Sequence, residues 1–227
     1  MPMPKDRYVV LHPLIVRVTH WTWALGVLVL IGSGLRIYNS EPVFNFYFPV
    51  WMTLGGSEEA ANRVHNDFGL AGALLIHFAA MWLLFAGLFT FLVYGFYTGY
   101  FRRKYLPVTV QEVIGNTADF LKGRLAHDLG VRNAVQKLLY IFAVCCMTLM
   151  VLSGLVLWKP AQFHELGLLM GQYEGARYVH FFGMVGMVLF VLVHVGLTIL
   201  VPKVLPPMIT GRAPADAVAP EVQGELS

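Results

Sequence analysis

His180 and His194 stand 14 residues apart in a strongly apolar stretch. At 100° per residue, 14 steps fall about 40° short of four full turns, so on one helix both imidazoles share a face. Their separation along the axis is about 21 Å, enough to put one near each surface of a bilayer. His20 and His77 sit in apolar stretches of their own. An ionisable side chain at membrane depth is costly and calls for a partner or a ligand. A single such histidine is more simply explained as a hydrogen-bonding residue between helices. Four of them in two depth-matched pairs suit something else, because imidazole is a common axial ligand of haem iron.

Depth decides the pairs. His194 lies nine residues before Lys203, and His20 lies three after Arg17 and eight after His12, so these two can meet near one surface. His180 lies 23 residues before Lys203 and His77 lies 25 before Arg102, which puts both near the other surface. His65 competes with His77, but it precedes Arg102 by 37 residues. That is about 55 Å on a straight helix. Arg63, Asn66 and Asp67 also give it polar surroundings, so the depth criterion prefers His77. The expected iron ligands are therefore His20, His77, His180 and His194. His12, His127 and His164 fall in polar or interfacial connections and are expected to be solvated or to contact a haem propionate.

These histidines need membrane-spanning elements to hold them, and the composition supplies them. Of 227 residues, 57% are hydrophobic and 13% charged, with a mean hydropathy of +0.64. Soluble domains carry roughly 25% charged residues. Four stretches, near 14–36, 70–98, 135–158 and 178–201, are long and apolar enough to cross a hydrocarbon core that takes about 20 helical residues. The expected fold is an all-α, four-helix transmembrane bundle over 1–212, followed by a disordered tail at 213–227. No internal repeat or soluble domain is evident. The first stretch carries Arg17 and His20 near its start and no convincing small-residue cleavage site, so it reads as a retained helix.

Lys and Arg set the expected orientation. The N-terminus, the 99–137 connection and the C-terminal tail hold 12 of them, among them Lys5, Arg102, Arg103, Lys104 and Lys203; the other two connections hold 4. The positive-inside rule then places both termini in the cytoplasm of a bacterial cell. The net charge of +3 lies beside apolar segments and not along a polar face, which argues for lipid headgroups over nucleic acid as the counter-charge. Phe44, Phe46, Tyr47, Phe48 and Trp51 suggest that the outer 37–67 connection lies in the interface and caps a cofactor. Thr109 and Glu112 form a capping box ahead of a short surface helix bearing Val113, Ile114, Phe120, Leu121 and Leu125. Gly26, Gly32, Ser33, Gly34, Ser153, Gly154, Gly183 and Gly186 leave room for a macrocycle or for close helix contact. Cys145 and Cys146 are adjacent in an apolar run, cannot form a disulfide framework, and read as packing residues.

With those residues placed, the chain resembles the bacterial di-haem cytochrome b family, cytochrome b561-like, over roughly 8–212. The likeness rests on Arg17-Val-Thr-His20-Trp21, Ile76-His77-Phe78-Ala79-Ala80, Ser153-Gly154, and His180 with His194. The family includes membrane subunits of nickel-iron hydrogenases, formate dehydrogenases and thiosulfate reductases; the Trp51-to-Gly56 stretch looks most like the thiosulfate-reductase type. The resemblance implies two haems b, His20 with His194 on the inner one and His77 with His180 on the outer. It also implies quinone as electron carrier and a periplasmic partner, often a molybdenum or metal-cluster enzyme. In some relatives the second-helix ligand closely follows an arginine, as His65 follows Arg63.

The expected function is electron transfer between the quinone pool and such a partner across the bacterial inner membrane. A quinone site is expected at the inner surface, near His12 and Arg17 with Lys203. A stand-alone quinol oxidoreductase is an alternative. An ion transporter with histidine relays is a weaker one, since the four predicted spans contain no Asp or Glu.

Overall fold

The structure, a computed structural model, describes residues 8–55, 70–122, 129 and 133–218. A short strand β1 (Tyr8–Val10) leads into helix α1 (Leu14–Ser40). Helix α2 (Leu70–Tyr97) is followed by α3 (Tyr100–Lys104) and α4 (Val110–Leu121). Then come α5 (Ala134–Trp158), α6 (His164–Met170), α7 (Gln172–Leu200), α8 (Leu205–Thr210) and strand β2 (Arg212–Pro214). Helices α1, α2, α5 and α7 run to 27, 28, 25 and 29 residues and are long and apolar enough to cross a membrane. They form because a helix satisfies its own backbone N–H and C=O groups where no water is available to do so. Large apolar side chains such as Leu28, Phe89, Leu192 and Ile199 stay exposed on them, as lipid-facing positions require.

Two helix ends extend beyond the stretches that hydropathy marks, and each extension is built on polar contacts that apolarity cannot register. Helix α1 continues from residue 36 to Ser40. There the Asn39 amide takes both backbone groups of Phe48, donating to its carbonyl and accepting from its N–H at 2.9 Å each. Helix α7 begins at Gln172 and not near 178, so Glu174 stands in its first turn. Arg177 pairs with Glu174 at 3.0 Å and donates to the Glu41 carbonyl at 2.7 Å.

The chain divides into two compact units. The first comprises residues 1–18, 91–144 and 189–227, and the second comprises 19–90 and 145–188. In the second, the four long helices meet through small or slender residues: Ala73, Ser33, Ser153, Val156 and Ala176 are at most 1% exposed. The segment after α1 folds back onto it. Leu54 donates to the Gly32 carbonyl at 2.8 Å. Gly55, at φ +94°, lies so close to Ala73 that a Cβ there would stand 2.7 Å from its Cα. Phe44, Phe46 and Phe48 gather around Tyr38, and Phe44 meets Phe181 at 5.2 Å. The aromatic connection thus covers the start of α7 beside His180, while Tyr47 and Trp51 remain exposed.

In the first unit, α4 opens on the reciprocal bonds of a capping box, Thr109 N–H to Glu112 and Glu112 N–H to the Thr109 hydroxyl. Asn133 and Gln136 make the same exchange at the head of α5. The Ala134 N–H goes to Asn116 of α4 at 2.8 Å, which joins the two helices. Leu125 lies outside the described residues.

The tail is a correction to the expectation of disorder from residue 213. Strand β2 pairs antiparallel with β1, Val9 opposite Ala213, and Ala213, Ala215 and Val218 are 0%, 1% and 3% exposed. Its composition is poor in large apolar residues, but small side chains suffice where β1 and Leu129 supply the covering surface. Residues 219–227 lie outside the described residues.

Candidate functional site

Ser33 of α1 and Ser153 of α5 lie in the second unit and are both fully buried. Each hydroxyl sits 2.7 Å from the carbonyl four residues back on its own helix, Val29 and Leu149 respectively. Each oxygen also stands 2.9 Å from a histidine Nδ1 on the next long helix: His77 of α2 for Ser33, His180 of α7 for Ser153. A hydroxyl has one hydrogen, and the short carbonyl contact takes it. The serine oxygen therefore accepts from Nδ1–H, and the imidazole is left with its lone pair on Nε2. Histidines that bind metal are commonly fixed in just this way by a partner on the other nitrogen.

The following residues match as well. A Cβ added at Gly34 would stand 3.5 Å from Cε1 of His77, and one at Gly154 3.4 Å from Cε1 of His180. Both rings thus lie close against a glycine that follows their serine. The two Ser-Gly pairs and their two histidines form a matched arrangement on four helices, although the surrounding sequences show no repeat.

His77 and His180 approach each other with ring centres 6.4 Å apart and planes inclined at 58°. An imidazole nitrogen sits about 2 Å from a first-row metal, and about 1 Å more separates it from its ring centre, so two axial imidazoles on one iron stand roughly 6 Å apart. The observed separation fits that span. No cluster of three or more His, Cys, Asp and Glu that could hold a metal ion exists among the described residues. Two imidazoles alone under-coordinate a bare ion, whereas a porphyrin brings four equatorial nitrogens of its own. An apolar cavity lined by Val27, Leu30, Ile31, Leu84 and four methionines, Met147, Met150, Met184 and Met187, lies in the same unit. It begins at the helix turns that carry the serines, since Ser33 and Ser153 also lie 3.3 Å from the carbonyls of Leu30 and Met150. Two imidazoles at this separation, beside apolar helix turns, are a donor set that fits a haem.

The other histidines have different settings. His20, in the second unit, meets Trp21 edge-on at 5.1 Å. His194, in the first, stacks on Phe190 at 5.4 Å and 14°, and its carbonyl accepts from Thr198 one turn on. His12 and Arg17 come together at Gly211 in the first unit: Arg17 donates to the Ile209 carbonyl at 2.7 Å, and Leu11 donates to the Gly211 carbonyl at 2.9 Å. A Cβ at Gly211, whose φ is +84°, would stand 3.0 Å from Arg17 Nη1 and 3.1 Å from the His12 carbonyl. Lys203 is exposed and His164 opens α6. His65 and His127 lie outside the described residues.

Sequence reasoning treated Ser33, Gly34, Ser153 and Gly154 as small residues, and Ser153-Gly154 also as part of the family likeness, without giving either serine a partner. The signal it could have used is the repeated Ser-Gly dipeptide, which falls once on each of the two long helices that carry neither His77 nor His180.

Four membrane-length helices that carry such a histidine pair define a membrane cytochrome, and the comparisons with known proteins agree. The chain belongs to the prokaryotic cytochrome b561 family, whose model matches residues 11–211. It is thus a transmembrane b-type haem protein of electron transport. A relative from Azospira oryzae is 43% identical over 211 residues, spanning 92% of this chain and 100% of its own length. That protein carries the name protein-methionine-sulfoxide reductase subunit YedZ1, a provisional assignment.

Proposed function

We infer that the chain carries two haems b and is the membrane subunit of a reductase whose catalytic partner stands on the periplasmic face. His77 and His180 would hold the outer haem; on the family resemblance, His20 and His194 are the proposed ligands of the inner one. When bound, each haem supplies one-electron oxidation and reduction at its iron. The single observation that carries this reading is the 6.4 Å approach of His77 and His180, each with Nδ1 already engaged by a serine.

The chain's own residues have definable tasks. Ser33 and Ser153 orient the two imidazoles, and the methionine-lined cavity gives the neighbouring helix turns apolar walls. The aromatic connection around Tyr38 covers the outer end of the site and offers the partner an exposed edge in Tyr47 and Trp51. In the first unit, His12 and Arg17 provide polar hydrogen atoms beside apolar helix, which is what the two carbonyl oxygens of a quinone need. Membrane quinol is the proposed donor.

The relative's name, a protein-methionine-sulfoxide reductase subunit, supports reduction of methionine sulfoxide in proteins as the partner's chemistry. That is a different enzyme from the thiosulfate-reductase type that Trp51-to-Gly56 suggests. Reduction of a sulfoxide to a thioether consumes two electrons and two protons and releases water. One quinol supplies both electrons. Orientation follows the Lys and Arg distribution, with both termini in the cytoplasm and the chain in the bacterial inner membrane.

The test is purification of the chain in mild detergent, with haem counted per chain and then reduced by a quinol. Two haems b that a quinol reduces, together with loss of quinol-dependent reduction of an oxidised methionine-rich protein from membranes lacking the chain, support the reading. Haem-free protein contradicts it, and so do membranes that keep the activity.

A further inference from the structure

We propose that Ser33 and Ser153 are a matched pair of positioning residues: they present the Nε2 of His77 and of His180 to one iron and together set its reduction potential. This rests on the reading of those two histidines as the axial pair of the outer haem. The observations are the two hydroxyl-to-Nδ1 distances of 2.9 Å and the two 2.7 Å anchors to the preceding helical turn. Each serine is itself immobilised, so its oxygen is a fixed acceptor and not a rotor that follows the ring.

An acceptor on Nδ1–H makes the imidazole a stronger donor through Nε2. A stronger donor favours the ferric over the ferrous ion and lowers the potential. Two such acceptors would act on the same iron, each through its own histidine. Removing either should therefore raise the potential of that haem, and removing both should raise it further. Because the two geometries agree within 0.1 Å at every distance compared, the two single effects should be similar in size. A pair of serines serving only as small packing residues would produce no such symmetry.

The experiment is potentiometric titration of the full chain in its membranes, following the reduced-minus-oxidised spectrum. The chains are the parent, Ser33→Ala, Ser153→Ala, the double variant and Gly34→Ala. Each serine variant should shift the outer haem's equilibrium about tenfold toward the ferrous form, about 59 mV for one electron, and the double variant about twice as far. Gly34→Ala keeps the hydroxyl, and its new Cβ meets His77 at an ordinary 3.5 Å, so its titration should follow the parent. Serine variants that retain the haem and titrate with the parent overturn the proposal while leaving the haem assignment standing. A shift in Gly34→Ala as large as in Ser33→Ala also overturns it, since packing alone would then account for the effect. The haem assignment itself is checked in parallel with His77→Ala, where an unchanged haem content would remove the ground for both.

Discussion

His77 and His180 each lean on a serine of a different helix, whereas His194 stacks on Phe190 of its own helix and His20 meets the ring of its chain neighbour Trp21. A cross-helix hydrogen bond fixes both the rotation of an imidazole and the nitrogen that carries its proton. Ring contacts constrain the plane and say nothing of the proton. The pair in the second unit thus has its rings fixed by the fold itself, which is what a preorganised metal site requires. The contrast teaches that histidines of one chemical type, found by spacing and depth, can take quite different neighbours: a serine of another helix for His77 and His180, a ring of the same helix for His194 and His20.

The comparison can be broken most sharply at the ligands. Replacing His180 with Ala should abolish binding of the outer haem and leave the inner one, so haem per chain falls by about half. His194→Ala should give the same fall with the remaining haem showing the outer potential. If the two variants lose the same spectral component, the pairing is wrong. A smaller effect is expected at the quinol end. His12→Ala and Arg17→Ala should each slow haem reduction by a quinol about three- to tenfold, the worth of about one hydrogen bond, with haem content intact. Unchanged rates in both would move the quinone site away from these residues.

The first unit offers two further tests that should spare the outer haem. Gly211→Val places a β-branched residue at φ +84° and drives its Cβ toward Arg17 and the His12 carbonyl. It should lower thermal stability of the first unit by about 1–3 kcal/mol, read as earlier loss of the inner haem on heating. The smallest effect belongs to Glu112. The Thr109 backbone N–H, and after it the Thr109 hydroxyl, hold this exposed carboxyl below the usual carboxylate range. The folded value is the lower one, so the cap contributes fully above the ordinary carboxylate value and fades as pH falls through the depressed one. Glu112→Ala should remove that dependence, seen as flatter acid sensitivity in proteolysis of the α4 segment, and leave both haems in place.

Much of this was legible in the sequence for a physical reason: lipid allows few solutions, and four long apolar stretches announce themselves whatever their packing. The 14-residue interval between His180 and His194 is equally plain, because helical periodicity converts it directly into a shared face. What the sequence withheld depends on contacts between distant residues. Ser33 looks like any small residue until Nδ1 of His77, 44 positions on, is found 2.9 Å from its hydroxyl. The ends of α1 and α7 escaped hydropathy because Asn39, Glu174 and Arg177 are polar, yet each is satisfied by a specific partner. The ordered tail escaped for the opposite reason. Ala213 and Ala215 carry almost no hydrophobic signal, yet both are buried, Ala213 opposite Val9 of β1.

The central claim is that His77 and His180 share one haem while His65, the rival from the depth comparison, holds none. It is tested most directly by a pyridine haemochrome assay on purified parent chain, His77→Ala and His65→Ala. The account predicts two haems b per chain in the parent and in His65→Ala, and one in His77→Ala. One haem in His65→Ala with two in His77→Ala would contradict it.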